Sequence, residues 1–170
     1  MTITATGNIG LGMLKLVDHV AASETFQTAC GVTTADAAKA FIHWPWVNFG
    51  TTIRPFAGIA QAKDYVEMRA FGGARTVHLP TGAFNLMLAI DDDPNLDEKD
   101  NFIRVDNFAS GVIADLKDIS GVSDNLNMTG FELFQEHAIS EPTTTIDPQF
   151  TAEANPRFWL VGYRVLWGAI

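Results

Sequence analysis

The chain has 170 residues, 47% of them hydrophobic and 18% charged, which suits a folded domain with a core of its own and excludes a disordered chain. Twenty Asp and Glu stand against eleven Lys and Arg, giving a formal charge of −9. Binding a phosphate backbone needs clustered cations, so nucleic-acid affinity is not expected. Cys30 is the single cysteine, which excludes an internal disulfide.

Residues 1–8 are small and polar and read as a loose or partner-dependent end. The start has no basic leader, and Lys15, Asp18 and His19 interrupt the next apolar stretch. Neither a signal peptide nor a membrane span is expected, and a soluble protein made in a cytoplasm is. From Ile9 the spacing of Met13, Leu14, Val17, Val20 and Ala21 predicts a helix, with Lys15, Asp18 and Glu24 outside it. A second short turn through Phe26 should end at Gly31. Thr33, Thr34, Ala35 and Asp36 resemble a capping box and should open a short helix over 35–41.

Pro45 pushes Trp44 out of helical space, so 42–47 reads as extended. Trp44 and Trp46 form either an aromatic cap on the core or a binding surface. Residues 53–61 read as a strand, with Pro55 arguing for an edge or a bulge. The segment 62–73 reads as a long excursion. Extended structure follows at 76–79, a break at 80–82, and a strand at 83–90. In that strand Phe84, Leu86, Leu88 and Ile90 share one face, and Asn85, Met87 and Ala89 the other. Two largely apolar faces predict a central strand covered on both sides.

The stretch 91–121 is the strongest signal. An acidic leader precedes a helix whose apolar stripe is Phe102, Val105, Ala109, Val112, Ile113, Leu116 and Ile119. Arg104, Asp106, Asn107, Asp115, Lys117 and Asp118 suit its wet face. Pro94 bars an earlier start and Gly121 is a natural stop. The leader's carboxylates would favour the positive end of the helix dipole. Residues 131–139 read as a strand and 140–156 as a long connector. In 157–167 Trp159, Val161, Tyr163, Val165 and Trp167 share one face of a last strand. This order predicts one α+β domain over 1–170. It should hold a mostly antiparallel sheet, one long amphipathic helix packed on it, an N-terminal helix, and extended loops at 62–73 and 140–156.

Catalytic and metal motifs are not expected. His19, His43, His78 and His137 have no ligand spacing. Asp91, Asp93, Asn95 and Asp97 alternate like the start of a calcium loop. Leu96 stands where that loop needs glycine, and Phe102 where it needs glutamate. No phosphate loop or nucleophile elbow is present, and neither cofactor nor metal is expected.

Several segments in order resemble the small neck and tail-completion proteins of long-tailed bacteriophages. These are 20–27 in the opening helix, the Ala-rich 35–42 leading into Trp44 and Pro45, the strand 54–59, 82–90 with the long helix after it, and the closing 163–168. The resemblance covers nearly the whole chain, as a pattern without an invariant motif. It points to the tail terminators, similar α+β domains that form a hexameric ring on top of the tail tube. What it implies is a structural virion protein, not an enzyme, with no catalytic residues. The implied partners are copies of itself, the tail tube protein and a head–tail connector or stopper protein. DNA would pass through the lumen without specific binding, and no membrane would be involved.

A closing ring needs complementary edges and arms. The candidate interface residues are Arg54, Lys63, Asp64, Glu67, Arg69, Arg75, Asp91, Asp92, Asp93, Thr143, Thr144, Thr145 and Phe150. The carboxylates of 91–98 are candidates for an acidic lumen over which DNA slides. The alternatives are another connector or head-completion protein, and, in a different class, a small acidic enzyme or ligand-binding domain with a pocket under Trp44 and Trp46.

Overall fold

The computed structural model describes residues 4, 8–44, 53–61, 80–120, 131–134 and 157–168. The expectations for 45–52, 62–79, 121–130 and 135–156 lie outside the described residues.

Helix α1, Asn8–Ala22, turns Leu16, Val20 and Ala21 into the core, with Met13 and Val17 packed against it. Leu14 was expected on that face, but it is exposed. At 100° per residue it lies about 200° round the helix from Leu16, which takes the inward place instead. Ser23 ends α1 and caps α2, Glu24–Ala29, by accepting a hydrogen bond from the Phe26 backbone N–H. Gly31 adopts φ +68°, the left-handed conformation that closes this turn as expected. Helix α3, Ala35–Ala38, is capped by Thr34, whose hydroxyl accepts from Ala37 N–H at 3.3 Å, and runs into a 3₁₀ turn over Lys39–Phe41. The cap thus falls one residue later than a box from Thr33 to Asp36 would place it.

Among the described residues five strands follow: β1, Ile42–His43; β2, Phe56–Gln61; β3, Pro80–Asp91; β4, Phe131–Phe134; and β5, Phe158–Gly168. Between β3 and β4 comes α4, Glu98–Ser120, of 23 residues. The sheet order is β1-β2-β3-β5-β4, with β1 and β2 parallel and the other neighbours antiparallel. The fold is α+β with a mixed sheet. Pro55 does not mark an edge strand: it precedes β2, which lies between β1 and β3, and Phe56 makes the first pairing. The break expected at 80–82 is a register shift between Pro80 and Gly82 within one strand, β3.

Phe84, Leu86 and Leu88 of β3 and Trp159, Val161, Tyr163 and Val165 of β5 face one core with the helices. Helix α4 adds Val105, Phe108, Ala109, Val112, Ile113 and Leu116. Two residues depart from its predicted stripe: Phe108 is buried and Phe102 is half exposed. Asp115, assigned to the wet face, is half-buried against α2. Its carboxylate accepts from Ser23 Oγ at 2.7 Å and Thr25 N–H at 2.9 Å. No helix among the described residues is long and apolar enough to cross a membrane.

Candidate functional site

The end of β3 and the start of α4 share a connected set of polar bonds. Asp91 is the last residue of β3, where it pairs with Phe158 at the start of β5. Arg54, just before β2, reaches across to it, and its Nε donates to Asp91 Oδ1. The Arg54 side chain is only 5% exposed, and its guanidinium carbon lies 4.5 Å from the centre of the Phe158 ring. A cation so far removed from water needs its carboxylate partner, and the ring adds a cation–π contact.

The neighbouring carboxylates are also engaged. Asp92 Oδ1 accepts from the Trp159 indole N–H at 2.8 Å, and Asp92 N–H donates to the Arg157 carbonyl at 2.9 Å. Asp93 Oδ1 accepts from both the backbone and side-chain nitrogens of Asn95, each at 2.9 Å. Those bonds, the backbone one first, hold the Asp93 carboxyl below its usual range. Asp97 caps α4 by accepting from Asp100 N–H at 2.8 Å. Asp91 to Asp93 therefore act within a strand end and a turn. The dipole reading holds for Asp97, Glu98 and Asp100, at the mouth of α4.

Asn101, almost fully buried, ties this elbow to the helix. Its Oδ1 accepts from Asp93 N–H at 2.9 Å, and its Nδ2 donates to the Asp93 carbonyl at 2.8 Å. Arg104, one turn on, donates to the Asp91 carbonyl and to Asn101 Oδ1. Arg104 was expected on the wet face of the helix but is part-buried and turned onto the elbow, and Asn101 did not stand out in the sequence. Nothing in the spacing of a lone Asn or Arg distinguishes a buried bracket from a wet-face residue.

Beside the elbow, α4 exposes apolar surface. Phe102 and Ile103 are each 45% exposed and Leu96 is 37% exposed. The Phe102 ring meets Trp159 edge-on, with centroids 6.3 Å apart and planes at 73°. Of the candidate interface residues, the fold unites Arg54 with Asp91 and places Asp92 and Asp93 beside them. Lys63, Asp64, Glu67, Arg69, Arg75, Thr143, Thr144, Thr145 and Phe150 lie outside the described residues. Among the described residues no three of His, Cys, Asp and Glu gather as a metal set. The Cys30 thiol is pushed up to about 12 by burial, which favours its protonated form.

No protein-family model matches this chain, and no curated protein matches it.

Proposed function

We propose that this chain is a structural protein of the bacteriophage neck, the tail terminator, which assembles as a hexameric ring on the tail tube. In this reading a mostly antiparallel sheet and one long helix form the ring's wall. One face of the ring meets the tail tube protein and the other a head–tail connector or stopper. The protein acts by shape and docking, with no bond-making step. It is assembled in the host cytoplasm and resides in the virion. DNA passes the lumen without specific binding, kept from adhering by the net charge of −9. The carboxylates of 91–98 remain the candidates for that lumen, Asp91 keeping 46% of its side chain exposed beside Arg54.

The observation that carries this reading is exposed apolar surface among the described residues. Leu11, Leu14, Trp44, Ile53, Leu96, Phe102 and Ile103 are all exposed. Single exposed apolar residues are ordinary, but neighbouring ones such as Leu96, Phe102 and Ile103 suit a surface that meets another protein. Multi-angle light scattering with negative-stain microscopy tests the proposal. A closed ring that grows with concentration supports it, and a monomer at every concentration removes it.

A further inference from the structure

The patch beside the elbow has a chemistry that fits one kind of partner. Residues 91–106 carry seven carboxylates, and three cations stand against them, Lys99 and Arg104 within the stretch and Arg54 paired with Asp91. Phe102 sits in the middle of a helical row, with Glu98 one turn before it and Asp106 one turn after. Its ring is held edge-on by Trp159 and left half open to solvent. Ile103 projects beside it, on the side of α4 away from Val105, Phe108, Ala109 and Val112, which already fill the core. Each of these two residues leaves 45% of its surface in water.

We propose that this face of α4 docks a cationic segment of a partner protein. An arginine of that segment lies on the open Phe102 ring between Glu98 and Asp106, and a neighbouring apolar side chain rests on Ile103 and Leu96. Each element has a counterpart in that occupant. The ring face attracts a guanidinium, the flanking carboxylates accept its N–H donors, and the apolar pair covers its hydrocarbon stem. Lys99 offsets part of the local charge, yet Glu98, Asp100 and Asp106 outnumber it. Nucleic acid and anionic lipid are repelled by the same carboxylates. A second copy docking by its own identical face would set carboxylate against carboxylate. The proposal is independent of the neck assignment.

The test titrates the full-length protein by calorimetry with a synthetic amphipathic peptide carrying Leu and Arg, and with its twin carrying Glu for Arg. Saturable binding of the Arg peptide, weakening with salt, is expected, with the Glu peptide at least about tenfold weaker. Ile103→Ser and Phe102→Ala should each weaken binding about tenfold or more, as anchors do. The double variant Glu98→Gln/Asp106→Asn should weaken it and flatten its salt dependence. Leu11→Ser/Leu14→Ser, on α1, should leave it unchanged. Circular dichroism checks that each variant is folded; Ile103→Ser keeps the test valid should Phe102→Ala unfold. The proposal is overturned by no saturable binding, by equal binding of both peptides, by an unaffected Ile103→Ser, or by equal loss in the Leu11/Leu14 variant. A fall in the protein's own assembly mass on Ile103→Ser would assign the face to a second copy and overturn it too. Ring formation is read separately by mass, so the neck assignment can fail while this binding stands, or the reverse.

Discussion

Replacing Asp115 by alanine should loosen the joint between α2 and α4 and cost about 2–3 kcal/mol. The Asp115 carboxylate accepts from Ser23 Oγ at 2.7 Å and from Thr25 N–H at 2.9 Å, 92 and 90 residues away in sequence. Hydrogen bonds to a charged group contribute roughly 1.5–3 kcal/mol each, and Asp115 is half-buried, which favours the lower end. Ser23 is fully buried, so its hydroxyl cannot recover the bond from water. That hydroxyl also caps α2 through Phe26 N–H at 3.1 Å, a contribution of about 1 kcal/mol independent of Asp115. Ser23→Ala should therefore cost more in the native background than in Asp115→Ala, with a coupling of about 1 kcal/mol. Urea unfolding of the four members of this cycle reads these values. The pH dependence has a definite sign. Burial raises the Asp115 pKa, but the bonds from Ser23, Thr25 and Glu24 outweigh it and bring the carboxyl below its ordinary value. A lowered folded pKa makes this contribution present above about pH 4 and lost as pH falls through the folded value. Asp115→Asn should flatten that acid limb. A cost under about 0.5 kcal/mol, or strict additivity with Ser23→Ala, would refute the reasoning.

Gly111→Ala should destabilise the chain even though alanine is the better helix former. A Cβ there would lie 2.8 Å from Thr25 Cγ2, and overpacking costs roughly 1–3 kcal/mol against a helix gain of about 1. Adding Thr25→Ala should recover much of the loss, measured by thermal melting. Cys30 should react with a thiol reagent at pH 8 far more slowly in the folded chain than in urea, since burial pushes its thiol up to about 12. Equal rates would contradict the burial. Trp159→Phe should keep the ring contact with Phe102 but remove the bond to Asp92, costing about 1–2 kcal/mol in urea unfolding.

The parts of the fold legible in the sequence were those governed by periodicity. The 3.6-residue spacing of Val105, Ala109, Val112 and Leu116 and the alternation of Trp159, Val161, Tyr163 and Val165 both describe faces that are buried. Gly31 was legible because only a turn residue suits its backbone. Periodicity failed where a helix has more apolar residues than its buried face can hold. Leu14 and Phe102 fit a stripe by spacing, but Leu16 and Phe108 take the core places, and only the third dimension decides between them. The elbow was half legible. Arg54, Asp91, Asp92 and Asp93 stood out as charges, yet their pairing depends on the β3–β5 register that brings Asp91 to Phe158. Asn101 was passed over and Arg104 was assigned to the wet face because their partners are backbone atoms outside the helix that no local pattern encodes.

The central claim is that this chain works by docking to copies of itself and its neighbours. Native mass spectrometry of the purified full-length chain over a range of concentrations tests it most directly. The account predicts a closed oligomer, sixfold in mass, that accumulates as concentration rises. A single monomer mass throughout, carrying a bound small molecule or metal, would contradict it.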